Sequence, residues 1–220
     1  MTVLDFDASR SGVQPLTWAP STGSEHLPQI AVRTIQPAIL AALSRAGLDP
    51  AHQVVDVVAH SAGGLLARFL IEHPGEAIDS WSDSRGWYGT GERVDLVWAA
   101  RVDDLVMVGT PNHGSTIGSL EATLGPGVGP FEGSGNDIAP GSTFLRRMGT
   151  VEPADEVYTA LGGDPWMFRF FRYGEHGFDG AVPAESPFLT GAAIDTFGHT
   201  HGKLLRAPEV RRLVLATLAA

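Results

Sequence analysis

The chain has 220 residues, of which 43% are hydrophobic and 18% charged, a balance typical of a globular domain with a sizeable core. Its net charge of −10 disfavours binding to nucleic acid and docking on anionic membranes, because no basic surplus is available to neutralise phosphates. The absence of cysteine excludes disulfides, Cys-ligated zinc and a thiol nucleophile.

Hydropathy along the chain indicates neither a signal peptide nor a membrane-spanning helix. The first 20 residues carry Asp5, Asp7 and Arg10 without a continuous apolar core, and no run of about 18 apolar residues occurs. The sequence assigns no compartment and no oligomeric state, since a cytoplasmic protein and a secreted protein that lacks its N-terminal segment both agree with it.

Strands alternate with helices along the chain, which predicts an α/β fold with a mostly parallel sheet and helices on both faces. The predicted elements are a strand at 2–6, a helix over 24–46, a strand at 53–59, a helix over 62–73, strands at 103–109 and 155–161, and a helix over 207–219. Residues 110–141 are rich in glycine and proline, which predicts a long loop, a candidate lid or binding loop. We expect a single domain spanning 1–220.

Residues 54–64, VVDVVAHSAGG, run from a buried strand through a turn of small residues into a helix. On such a turn a serine hydroxyl projects from the end of the sheet, and the next amide faces the position where a tetrahedral oxyanion would form. Ser61 is therefore predicted as a nucleophile and Ala62 as an oxyanion-hole donor, with Ala59 at the first glycine position of a G-x-S-x-G pattern. The alternative is a strand-to-helix turn in which Ser61 only caps the helix.

Residues 54–64 resemble the nucleophile elbow of bacterial lipases and esterases of the α/β-hydrolase superfamily. Two more segments follow in the family's order: residues 108–115, VGTPNHGS, resemble its GTPHHGS segment, and residues 137–145, DIAPGSTFL, resemble the segment before its acid strand. The resemblance covers about residues 54–220 and implies the α/β-hydrolase fold, a catalytic order of Ser, Asp or Glu, then His, and no metal or organic cofactor.

A serine hydroxyl needs a base to take its proton, and that base needs an orienting carboxylate. Asp179, in the segment FDGAVP, resembles the family's DGVVP acid segment and is the predicted acid. The residues alone favour a turn aspartate beside Gly180, so the assignment depends on the resemblance. Asp195 is the runner-up.

Two histidines near the C-terminus are candidates for the base, His199 and His201. In the family the histidine is followed by two residues and a pair of leucines, which favours His201 and leaves His199 as the alternative base. A His-x-His pair also suits a metal ion, but no third ligand stands at a family-like spacing. His60 is expected to support the turn or line the pocket, and His113 to pack near the site. Neither comes after the acid in the sequence, so neither is assigned as the base.

The family's N-terminal His-Gly segment, whose loop donates the second oxyanion amide, does not occur before Ser61. Loss of one such donor typically costs about 10²–10³-fold in rate. Three explanations stay open: an N-terminally shortened chain, a substitute donor from residues 7–20, and a weakened hydrolase. The predicted function is hydrolysis of a small-molecule or lipid ester. The alternatives are a weakened scaffold that binds acyl ligands or a partner, and an acyltransferase with the same triad.

Overall fold

A computed structural model describes the chain at residues 25–49, 51–81, 91–96, 102–115, 133–151, 157–168 and 177–220. Several predictions lie outside these ranges. They are the strand at 2–6, the substitute oxyanion donor from residues 7–20, and the middle of the candidate lid, 116–132.

The described sheet has four parallel strands in the order β1-β2-β3-β4. The strands are β1 (Val55–His60), β2 (Val102–Val108), β3 (Val157–Gly163) and β4 (Ala193–Phe197). The α-helices are α1 (Leu27–Ile30), α2 (Gln36–Arg45), α3 (Ala62–Glu72), α4 (Ser134–Ile138), α5 (Thr143–Met148), α6 (His201–Leu204) and α7 (Pro208–Thr217). A π-helical stretch, Ala31–Ile35, joins α1 to α2, and 3-10 turns lie at Ile78–Trp81 and Trp166–Phe168.

Helices cover both faces of the sheet. Successive residues of β2 point to opposite faces, so their packing partners show what covers each face. Leu105 packs with Ile71 of α3 on one face, whereas Val106 and Val108 pack with Val210 of α7 on the other. All five side chains are buried, as a strand covered on both faces requires. The predicted parallel sheet between helices is confirmed.

Several described elements differ from the predictions, among them α6, for which no helix was predicted. Helix α5 was not among the predicted elements; Ser142 caps it by accepting a hydrogen bond from the amide of Leu145 at 3.1 Å. Strand β4 was anticipated only as one strand between Asp179 and His201 with Asp195 near its end, and no bounds were predicted, because its residues are mostly exposed and form no buried apolar run. Helix α4 lies inside the predicted loop 110–141, so this segment is not irregular throughout.

The carboxyl ends of the four parallel strands meet at one edge of the sheet. Ser61 directly follows β1 and Gly109 directly follows β2, while Asp179 and His201 lie in segments that flank β4. In open parallel sheets this edge is where ligands bind. None of the helices in the described parts of the chain is long and apolar enough to cross a membrane.

Candidate active site

Ser61 occupies a strained turn between β1 and α3. Its backbone has φ 55° and ψ −134°, and among the described residues it is the one non-glycine residue with positive φ. Such a conformation costs on the order of 1–3 kcal/mol and persists where surrounding structure enforces it. Here the Ser61 amide donates to the carbonyl of Val108 at 3.0 Å. The hydroxyl makes no capping bond to α3, contrary to what the helix-cap alternative requires.

Ala62 is the first residue of α3, an 11-residue helix. Its amide therefore lies at the positive end of the helix dipole, where a developing negative charge is stabilised. This position agrees with the geometry that an oxyanion donor needs, next to the nucleophile and at a helix N-terminus.

Asp179 and His201 form a hydrogen-bonded pair. Nδ1 of His201 lies 2.8 Å from Oδ2 of Asp179, with 1% of the Asp179 side chain exposed and 16% of the His201 side chain. The other carboxylate oxygen accepts from the amides of Ala181 and Val182 at 2.8 and 2.7 Å. A carboxylate only accepts, so this arrangement requires the proton on Nδ1 and places the lone pair of the neutral ring on Nε2.

The runner-up residues are engaged elsewhere. Nε2 of His199 lies 2.6 Å from Oε1 of Glu209, and the backbone amide of Glu209 together with this contact lowers the pKa of the Glu209 carboxyl. The carboxylate of Asp195 accepts from the amide of Thr196 on the exposed strand β4. The structure thus brings Asp179 to His201, and directs His199 to a different carboxylate. Within the described ranges, no three His, Asp or Glu side chains are grouped to hold a metal ion.

Gly109 brings the turn and the histidine together at the end of β2. The carbonyl of the preceding residue, Val108, accepts the Ser61 amide, while a Cβ placed on Gly109 would lie only 3.0 Å from Nδ1 of His201. Gly109 also has φ +63°, a conformation that L side chains rarely adopt. The end of β2 therefore touches both the Ser61 backbone and the His201 ring.

Solved structures share this architecture at low sequence identity. A Bacillus licheniformis lipase, BlEst2 in its mature form, superposes with a TM-score of 0.59 at 16% identity, over 89% of this chain and 75% of that one. The chain has the α/β-hydrolase fold. The phospholipase PlaB from Legionella pneumophila superposes with a TM-score of 0.51 at 17% identity, over 78% of this chain and 36% of its own length. No protein-family model and no curated protein matches this sequence.

Within this α/β-hydrolase fold, a buried polar network holds the segment after β2. Arg68 of α3 is 0% exposed, and its guanidinium donates to Glu72 at 2.7 Å and to Oδ1 of Asn112 at 2.9 Å. The amide of Asn112 donates in turn to the carbonyl of Pro187, in the loop after Asp179, at 2.6 Å. The network links the helix behind Ser61 to the loop that carries Asp179.

If His201 serves as a catalytic base, we expect Gly109→Ala to lower the rate of p-nitrophenyl ester hydrolysis roughly a hundredfold, because the new Cβ displaces the His201 ring. The matched control is Gly141→Ala, since Gly141 has a similar φ of +72° but open space around the Cβ position. Gly141→Ala therefore carries the backbone strain alone. Steady-state kinetics of both variants check the prediction, and equal rates in the two would contradict it.

His60, the last residue of β1, is a partly buried histidine. Desolvation, together with the neighbouring His201, lowers its pKa from 6.5 to about 3, against a smaller opposing effect of its contact with the His201 backbone. Between pH 3 and pH 6.5, His60 is therefore neutral in the folded protein, whereas the same residue in the unfolded chain binds a proton. This group stabilises the fold fully above pH 6.5, and its contribution is lost as pH falls toward 3.

We expect the free energy of unfolding of the wild type to fall by about 2 kcal/mol more than that of His60→Gln between pH 7 and pH 5. Glutamine has no titratable group, so the difference between the two curves isolates His60. Urea unfolding at each pH measures it. Parallel curves for the two proteins would show that His60 is not held neutral.

Proposed function

We propose that this chain is a serine hydrolase that cleaves carboxylic esters through an acyl-enzyme, with Ser61 as nucleophile, His201 as base, Asp179 as the orienting acid and Ala62 as an oxyanion donor. The observation that carries the proposal is the Asp179–His201 pair, whose ring lies against the same strand end that holds the strained Ser61 turn. A serine on a strained turn beside an oriented histidine is the arrangement that serine hydrolysis needs.

In the proposed first half-reaction, Nε2 of His201 takes the hydroxyl proton of Ser61 as Oγ attacks the ester carbonyl carbon. The oxyanion is stabilised by the amide of Ala62 and the N-terminus of α3. His201 then gives its proton to the departing alkoxide, which leaves as an alcohol. In the second half-reaction, water loses a proton to His201 and attacks the acyl-enzyme carbonyl carbon. The bond to Oγ of Ser61 then breaks, His201 returns the proton to Oγ, and the acid is released. Asp179 stays ionised and stabilises the imidazolium.

An apolar surface beside the acid supports an ester with an acyl chain as the substrate. Trp166 and Met167 are 70% and 48% exposed. The adjacent Phe168 ring packs against Phe178 and would lie 3.3 Å from a Cβ on Gly180. Exposed apolar patches of this kind often mark binding sites for apolar groups. Two proteins of the same fold are described as a lipase and a phospholipase, which agrees with a lipid or small-molecule ester.

The proposal is tested by hydrolysis of p-nitrophenyl esters with acyl chains of increasing length. We expect the wild type to hydrolyse at least one of them and Ser61→Ala to lower kcat by at least about 10⁴-fold. Ser44→Ala, an exposed serine on α2, is the matched control and should match the wild type. No hydrolysis by the wild type at any chain length would favour a non-catalytic scaffold. Ester consumption that requires an added alcohol would favour an acyltransferase.

A further inference from the structure

His60 contacts His201 at two places. Its Nε2 lies 3.2 Å from the carbonyl oxygen of His201, and the two ring centroids are 4.5 Å apart at an interplanar angle of 40°. His60 is the last residue of β1 and directly precedes Ser61 in the chain. The side chain of His60 therefore contacts the proposed base, and its main chain is joined directly to the proposed nucleophile.

The chemistry of the contact fixes the protonation of the His60 ring. A carbonyl oxygen only accepts hydrogen bonds, so Nε2 of His60 carries the proton and donates it. Desolvation of the ring and the neighbouring His201 lower the pKa of His60 to about 3, so the ring is neutral at pH 7. A neutral donor adds no charge beside a base that itself gains a proton during the reaction.

His60 completes the set of contacts that hold His201. The His201 amide donates to the carbonyl of Asp179 at 2.8 Å, and its ring binds the Asp179 carboxylate. Its carbonyl accepts from His60. The main chain of His201 is thus held by Asp179 on its N–H side and by His60 on its C=O side. Its ring packs near the His60 ring, and a Cβ on Gly109 would lie 3.0 Å from its Nδ1.

We propose that His60 is a positioning residue, which fixes the main chain and ring of His201 relative to Ser61 so that base and nucleophile keep their separation. The inference rests on the proposed function, because this separation affects the rate only if His201 takes the Ser61 proton. It goes beyond the sequence expectation for His60, which was support of the turn or lining of the pocket.

The kinetic test compares two substitutions of His60 on p-nitrophenyl ester hydrolysis. His60→Phe keeps a flat ring but removes the donor, whereas His60→Gln keeps an N–H near the position of Nε2. We expect His60→Phe to lower kcat at least roughly tenfold with little change in KM, and His60→Gln to restore most of it. His113→Phe is the matched control, because His113 also pairs Nε2 with a backbone carbonyl, that of Phe188 at 3.0 Å.

A second readout does not depend on turnover. The proton on Nδ1 of His201, which lies in the hydrogen bond to Asp179, is expected to give a downfield proton resonance in the wild type. We expect this resonance to shift or broaden in His60→Phe and to persist in His60→Gln and His113→Phe. Thermal unfolding of each variant shows whether it is folded.

The outcomes separate the two proposals. An unchanged kcat and an unchanged resonance in His60→Phe would overturn the positioning role, even if Ser61→Ala abolishes hydrolysis. An equal loss of kcat in His113→Phe and His60→Phe would overturn it as well. A resonance that moves in His60→Phe alone supports the positioning of His201. If that result accompanies a wild type that hydrolyses no ester, the proposed function fails and the contact between the two histidines stands.

Discussion

Replacing Asp179 with asparagine is expected to lower kcat for ester hydrolysis by about 10⁴-fold. In the wild type one carboxylate oxygen accepts from the amides of Ala181 and Val182, and the other accepts from Nδ1 of His201. An asparagine oxygen would keep the first set of bonds and turn its NH₂ group toward the ring. Nδ1 would then have to accept, so the proton would move to Nε2, the atom that must take the serine proton.

Asp195→Asn is the matched control for this substitution, because Asp195 was the runner-up acid and its carboxylate lies on the exposed strand β4. We expect its kcat to equal that of the wild type. Steady-state kinetics on one ester and thermal unfolding of all three proteins make the comparison. A large loss in Asp195→Asn with little loss in Asp179→Asn would reverse the assignment of the acid.

Replacing Arg68 with methionine is expected to lower the free energy of unfolding by about 3–5 kcal/mol. Arg68 is fully buried, and its removal leaves Glu72, whose side chain is 7% exposed, without its cationic partner. It also removes the donors to Asn112 and to the carbonyl of Met148. Breaking one partner of a buried pair costs far more than the pair contributes, because the remaining charge is desolvated and uncompensated.

The control for Arg68→Met is Arg33→Met. Arg33 also pairs with a glutamate, Glu92 at 2.7 Å, but the two side chains are 31% and 34% exposed. Ion pairs of this kind contribute about 0–1 kcal/mol. Urea unfolding measures both variants, and adding Glu72→Gln to Arg68→Met should recover part of the loss. Equal destabilisation by Arg33→Met and Arg68→Met would contradict the role given to the buried network.

Local pattern was sufficient to predict the elements around Ser61. The strand predicted at 53–59 and the helix predicted over 62–73 correspond to Val55–His60 and Ala62–Glu72, because a buried strand and a small-residue turn leave strong signals in sequence. Strand β4 leaves no comparably strong signal, because its residues are mostly exposed. Its pairing with β3, rather than an apolar run, defines it. The bounds of such a strand cannot be predicted from the hydropathy of its own segment.

The parts of the site that depend on tertiary contacts were less accessible to sequence reasoning. Nothing in the spacing of Asp179 and His201 predicts their hydrogen bond; the resemblance to a family suggested it. The close approach of Gly109 to the His201 ring was not predicted at all. Arg68 was missed as well, although a single arginine in an apolar helix with Glu72 four residues later is a signal for a buried ion pair.

The most direct test of the account is covalent labelling with a fluorophosphonate, followed by mass-spectrometric mapping of the adduct. An activated serine reacts with this probe because its hydroxyl is paired with a base. We predict one adduct per chain on Ser61, no adduct in Ser61→Ala, and much slower labelling of Asp179→Asn. A wild-type chain that stays unlabelled, or one labelled at a residue other than Ser61, would contradict the account.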